Sequence, residues 1–219
     1  NVLENLNKLN KRYVLISNAP RPSKSVEKYL LNLKMDKKFL KNVFTSGEAA
    51  LVTLKNNTYG KKFYHIGPKR DHDLFLEFEK NKTTLEKCEF ILCTGFFEEE
   101  ENSIDYYNDL LKSFTKKKMV CTNPDLVVHR GSKSEYCAGM LALAFEKLGG
   151  QVVYFGKPHP EIYNFCIKNN ETILAIGDNI RTDIKGANNM KFDSLFITHG
   201  IHKDEFLNLP LENYDKILE

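Results

Sequence analysis

Short apolar runs of strand length alternate along this chain with stretches in which apolar residues recur at helical spacing, a pattern that predicts a parallel α/β sheet. The first strand is expected at residues 13–16. Pro20 and Pro22 stop it, and Val26, Tyr29, Leu30 and Leu33 then recur on one helical face, so the chain turns from a strand end directly into a helix. A second helix is expected at 47–55. The middle of the chain carries its own alternation, with strands at 63–66, 90–94 and 119–122 and a helix that aligns Ile104, Tyr107, Leu111 and Phe114. That is enough for a separate small α/β unit. A long helix is predicted from about 134 to 148, closed by Gly149-Gly150, because glycine accepts the left-handed conformation that ends helices. There follow a strand at 152–155, Gly156-Lys157-Pro158, a helix opened by Pro160, a strand at 173–176, Gly177-Asp178, a helix to about Met190 and a strand at 194–198. This last third is expected to form two successive βαβ units. Internal repeats and low-complexity segments are absent, and the glutamate run at 98–101 is expected to be a solvated loop.

Composition narrows the class. Of the 219 residues 42% are hydrophobic, enough to fill a sizeable core and to exclude a disordered chain. The 32 basic residues nearly balance the 29 acidic ones, and a formal charge of +3 implies neither a nucleic-acid surface nor a membrane surface. The expected partner is a small molecule. Cys88, Cys93, Cys121, Cys137 and Cys166 are odd in number and form no C-x-x-C pair, so buried, reduced thiols in a cytoplasmic protein are expected. No apolar run approaches the roughly 18 residues that cross a bilayer. The opening Asn1-Val2-Leu3-Glu4 lacks an initiator methionine and signal-like features, so the chain is expected to begin inside a longer sequence.

The strongest chemical signal is the run from Ile173 through Gly177-Asp178 and Thr182-Asp183 to Gly186-Ala187. In a parallel sheet, ligands gather at the carboxyl ends of strands, and an aspartate placed there by a buried strand offers a hard oxygen. Asp178 therefore suits Mg2+, which takes a few carboxylates plus phosphate oxygens. Asp183 is placed to hold the loop by hydrogen bonds or through water on the metal. A blander role for both aspartates is to cap the helix. Gly156-Lys157-Pro158 follows an apolar strand about twenty residues earlier, so Lys157 is expected to emerge at a neighbouring strand end and to neutralise phosphoryl charge. Ser17-Asn18 ends the first strand, where a hydroxyl and the following amides can hold a phosphoryl oxygen. Asp71-His72-Asp73 follows a proline and two basic residues and is expected to be a surface turn or helix start. His159 is expected to be structural, and His199 and His202 to be solvated loop residues.

The ordered set Ser17-Asn18, Gly156-Lys157-Pro158 and Gly177-Asp178 with Thr182-Asp183 resembles the second, third and fourth motifs of the haloacid-dehalogenase-like superfamily. More narrowly, the chain is similar to the NagD-like and p-nitrophenylphosphatase-like subgroup, in which an α/β cap is inserted between the second and third motifs. Thr45-Ser46-Gly47-Glu48-Ala49 and Thr122-Asn123-Pro124-Asp125 are also similar to segments of that subgroup. The resemblance implies a Rossmann-like parallel-sheet core made of residues 1–43 and 152–219, with 44–151 as the cap. It implies a Mg2+-dependent phosphatase acting on a small phosphate monoester, of the sugar phosphate or nucleotide class, through an aspartyl-phosphate. By motif matching Ser17 binds the phosphoryl group, Lys157 stabilises the nucleophile and developing charge, Asp178 holds the metal and Asp183 supports it. Asn18, Asn123, Asp125 and the Gly131-Ser132-Lys133 loop are the further candidates for substrate contact, and the resemblance leaves the oligomeric state open, with a homodimer as one assembly it allows. The family's first motif, an apolar strand ending in Asp-x-Asp, finds no counterpart before Ser17. These 219 residues by themselves are therefore expected to be inactive. The alternatives are a non-catalytic binding protein of the same fold, or a phosphotransferase or phosphonate-cleaving relative.

Overall fold

In the computed structural model, which describes residues 2–100, 103–130, 133–168, 170–207 and 210, the apolar runs of the sequence become parallel strands in two compact units, Asn1–Gly156 and Lys157–Glu219. In the first unit α1 (Val2–Lys8) precedes β1 (Leu15–Ser17), and α2 (Ser23–Asn32) carries the chain on to β2 (Val43–Thr45). The two strands pair in parallel with Ser17 opposite Thr45. Thr45 then caps α3 (Ser46–Lys55), its Oγ1 accepting from the Glu48 amide at 3.0 Å and donating to the Arg21 carbonyl at 2.7 Å. Glu48 stands where a capping box would place it, yet its carboxylate accepts from the Ser23 amide at 3.1 Å and so ties α3 to the start of α2. Gly47 allows this approach, since a Cβ there would lie 2.3 Å from the Pro20 carbonyl oxygen.

The rest of the first unit is built on a parallel sheet in the order β3 (Phe63–Ile66), β4 (Phe90–Cys93), β5 (Lys118–Cys121) and then β8 (Gln151–Tyr154). Helices cover both faces, which is why its strands read as continuous apolar runs. On one face Ile91, Cys93, Met119 and Cys121 pack with α4 (Ile104–Leu111) and α5 (Ala138–Lys147) through Tyr107, Leu111, Leu141 and Phe145. On the other, Phe90, Leu92 and Val120 pack with Ala49, Ala50 and Leu54 of α3. Between β5 and α5 an antiparallel hairpin, β6 (Val127–Arg130) with β7 (Lys133–Tyr136), occupies the start of the predicted long helix. Serine and a β-prone tyrosine there go to cross-strand pairing, so the helix begins only at Ala138.

The second unit contains α6 (Pro160–Cys166), β9 (Leu174–Gly177), a single π-helical turn at Ile180–Ile184 continuing into α7 (Lys185–Met190), β10 (Asp193–Phe196) and the short α8 (Lys203–Phe206). β9 and β10 pair in parallel, Gly177 opposite Phe196. Two expectations change here. The strand before Gly156-Lys157-Pro158 pairs with β5, so the last third holds one βαβ unit among its described residues rather than two. The strand that presents Asp178 is not buried either, with Leu174 56% and Ile176 53% exposed. A two-stranded sheet with helices on one face leaves its other face uncovered within this unit.

Candidate functional site

In the first unit, the turn after β1 and the turn after β5 meet. Asn18, 6% exposed, donates from Nδ2 to Asp125 Oδ1 at 2.9 Å. The Asp125 amide in turn donates to Asn123 Oδ1 at 3.1 Å, an Asx turn that wraps Pro124. The Ala19 amide donates to Ser17 Oγ at 3.2 Å. An Oγ occupied as acceptor keeps its proton for another oxygen. Gly156 closes the arrangement with φ of +125°, and a Cβ on it would lie 2.7 Å from Asn18 Oδ1 and 2.8 Å from Ser46 Oγ. Ser46 in turn hydrogen-bonds the Phe155 carbonyl oxygen. Ser17, Asn18, Asn123 and Asp125, four of the residues singled out from the sequence, thus line one cleft of about 840 Å³. The remaining candidate contact, the loop at 131–133, lies outside the residues whose side chains the structure describes.

In the second unit Lys157 and Asp183 form an ion pair, Nζ to Oδ1 at 2.6 Å, with their side chains only 19% and 13% exposed. The other carboxylate oxygen of Asp183 accepts the amides of Asp178 at 3.2 Å and Asn179 at 3.1 Å. One aspartate therefore fastens the lysine to the loop that follows β9. Gly177 makes this possible, because a Cβ there would lie 2.3 Å from the Asp183 Cβ and Cγ. Asp178 takes the Ile201 amide on Oδ2 at 3.0 Å, and Gly200 leaves the space it occupies, as a Cβ there would lie 2.1 Å from that oxygen. The loop is braced again by His202, whose Nε2 accepts from the Ile180 amide at 3.3 Å while Nδ1 pairs with Glu205 at 2.8 Å. That amide bond requires an unprotonated Nε2, so the ring carries its proton on Nδ1. His202 is therefore a brace of the Asp178 loop, with its side chain 12% exposed, and not the solvated residue expected from its loop position. Gly186 packs α7 on α6, a Cβ there falling 2.0 Å from Tyr163 Oη.

The donor set suits a hard divalent cation. A carboxylate with one oxygen on an amide has a second oxygen to give, and Mg2+ needs few protein ligands because water and phosphate complete its octahedron. Among the described residues no three histidines, cysteines, aspartates or glutamates cluster into a ready-made metal cage.

Sequence reasoning also missed Asp71. It was expected in a surface turn or helix start; it does lie in the first turn of a 3₁₀ helix, Lys69–Leu74, but it is 4% exposed and lines the same cleft as Ser17. Burial pushes its carboxyl up to about 6, against the pull of Arg70 and Arg21. The signal that would have found it is the one that found Asp178, an aspartate just beyond the carboxyl end of a parallel strand.

A family model described as HAD-hydrolase-like matches residues 154–219. No curated protein matches the chain. Among solved structures, a hydrolase of the haloacid dehalogenase-like family from Brucella suis 1330 superposes with a TM-score of 0.83 at 28% identity, covering 91% of this chain and 78% of its own. The p-nitrophenyl phosphatase from Archaeoglobus fulgidus superposes with a TM-score of 0.70 at 16% identity, covering 99% of this chain and 82% of its own. For the glycerol phosphate phosphatase from Mycobacterium tuberculosis, solved with calcium, the values are 0.66 and 19%, with 91% and 60% covered. These last two share the fold.

Proposed function

We propose that the chain, whose residues 154–219 match a HAD-hydrolase-like family model, is a Mg2+-dependent phosphatase that releases phosphate from a small phosphate monoester through an aspartyl-phosphate. The observation that carries this reading is the Asp183 clamp, which holds an ammonium group and the Asp178 loop on one carboxylate. Lys157, anchored on Asp183, would bring its ammonium charge to the phosphoryl oxygens, where it offsets what develops during transfer. Asp178 would hold Mg2+, whose chemistry when bound is to draw charge off the phosphoryl oxygens. Ser17, with Oγ already accepting from the Ala19 amide, donates its proton to a phosphoryl oxygen. Asn123 and Asp125, in the turn after β5, contact the alcohol part of the substrate. The phosphatases named above are consistent with this class of reaction. Five buried cysteines without disulfides support a cytoplasmic location.

The covalent step needs an attacking aspartate, and no carboxylate of the chain ends an apolar strand before Ser17. That favours a second reading for these 219 residues alone, a binding protein that holds phosphate and metal without turnover. One experiment separates the two. The protein is assayed with p-nitrophenyl phosphate, with Mg2+ and with chelator. Metal-dependent release of phosphate supports the enzyme reading, and binding of inorganic phosphate without any release overturns it in favour of the binding protein. Transfer of the phosphoryl group to an alcohol without release of phosphate would replace hydrolysis by phosphotransfer.

A further inference from the structure

A buried carboxyl stands in the first unit with no part in the reaction above. Asp71 lies just beyond the carboxyl end of β3, where ligands of parallel sheets are met, and it faces the cleft of Ser17 and Asn18. It is held from behind in a chain of two contacts. The Thr94 hydroxyl, just after β4, acts on its carboxyl to favour the charged form, and Thr94 Oγ1 lies 2.9 Å from His65 Nε2 in β3. Thr94 is 2% and His65 7% exposed, so water does not compete for either bond. Burial drives His65 down to about 3, helped by the charges of Lys82 and His72, and its imidazole is neutral at physiological pH. A hydroxyl has one proton. Donated to the Asp71 carboxylate, it leaves Oγ1 to accept from His65, which sets the histidine in its Nε2–H form and the carboxylate in one direction. Gly67 is shaped to this pair, since a Cβ there would lie 1.9 Å from Thr94 Oγ1 and 2.8 Å from His65 Nε2.

The charges around the cleft say what the carboxylate can take. Arg70 from its own helix and Arg21 from the loop after β1 attract it, Asp73 from its own helix repels it, and Glu98, Asp125 and Glu135 line the same space. A second acidic group on the ligand, besides the phosphoryl group at Ser17, would meet four carboxyls with two guanidiniums to offset them. An ammonium on Asp71 would have to sit beside both arginines. A hydroxyl meets neither objection, because it donates to a carboxylate and accepts from a guanidinium at once. We propose that Asp71, positioned by His65 through Thr94, is the specificity-determining residue of this cleft and binds a hydroxyl on the alcohol part of the substrate, with Arg21 and Arg70 as flanking donors. The inference rests on the phosphatase reading, which supplies the phosphoryl group beside Ser17. His65 and Thr94 are positioning residues.

The test is calorimetric binding to the 219-residue chain in Mg2+ of three probes: inorganic phosphate, propyl phosphate, and glycerol phosphate, which adds hydroxyls to the same carbon skeleton. Glycerol phosphate is expected to bind about tenfold more tightly than propyl phosphate, the discrimination of one well-made polar contact. Asp71→Ala is expected to bring that ratio to about one, and Asp71→Asn, which keeps the fold and one carbonyl acceptor, to about threefold. His65→Phe lowers the ratio in the same direction. A purely structural role for Asp71 would weaken both esters alike and leave the ratio unchanged, which overturns the inference. So does a wild-type ratio of about one with inorganic phosphate bound, and in that case the phosphatase reading stands. Failure of inorganic phosphate to bind overturns both.

Discussion

The residues of the two sites are held by partners that make their charges costly or useful in different ways. Asp71 and His65 titrate in opposite senses. The Asp71 carboxyl is raised from 3.8 to about 6, so its protonated form is favoured in the folded chain, and stability falls as pH rises from about 4 to about 6 and stays lowered above. At about 1.4 kcal/mol per pKa unit the cost at neutral pH is about 3 kcal/mol. Asp71→Asn removes it, so that variant should exceed the wild type in urea stability at pH 7, with the gain gone by about pH 4. His65, lowered to about 3, prefers to be neutral, and its contribution is complete above pH 6.5 and is lost as pH falls through that window. The two slopes oppose between pH 4 and 6. Asp71→Asn should therefore also uncover a steeper acid destabilisation than the wild type shows. Retaining a carboxylate that destabilises the fold is what a binding residue does. Asp183 is the contrary case, because its charge is used three times over, by Lys157 and two amides. Asp183→Ala leaves a half-buried ammonium and two amides without their acceptor, and should cost about 3 kcal/mol by chemical denaturation while weakening phosphate binding.

At the scale of elements, close approaches of backbone decide where the motif loops sit. Gly177 ends β9 against the Asp183 carboxylate, and a methyl there would occupy the place of that side chain. Gly177→Ala should therefore cost about 3 kcal/mol and reduce metal and phosphate affinity together, as measured by denaturation and calorimetry. Thr45 shows the same economy at α3, where one hydroxyl caps the helix and ties it to the loop that bears Arg21. Thr45→Val keeps the shape, loses both bonds and should cost about 2 kcal/mol. The helix periodicities were legible for α2, α3 and α4 because each has one apolar face on a sheet. The hairpin β6–β7 was not legible, since strands paired only with each other carry no burial pattern to betray them.

For the whole molecule, the reading of Mg2+ at Asp178 is checked by removing it. Chelation should weaken binding of inorganic phosphate by about tenfold or more, and Asp178→Asn should make the affinity insensitive to chelator. Equal affinity with and without Mg2+ in the wild type would sink the metal assignment. No described helix is long and apolar enough to cross a membrane. The parallel α/β class, the two motif turns at Ser17-Asn18 and Gly177-Asp178, and the residues Lys157 and Asp183 were all determined by sequence alone, because they rest on local signals: apolar runs, helical spacing, and glycine or aspartate at strand ends. Only the tertiary structure decided that Asn18 meets Asp125, that residues 151–154 join the sheet of β3, β4 and β5, and that Asp71 is buried near Thr94. Strand pairing and burial depend on contacts between residues far apart in the chain, and no window of sequence contains both partners.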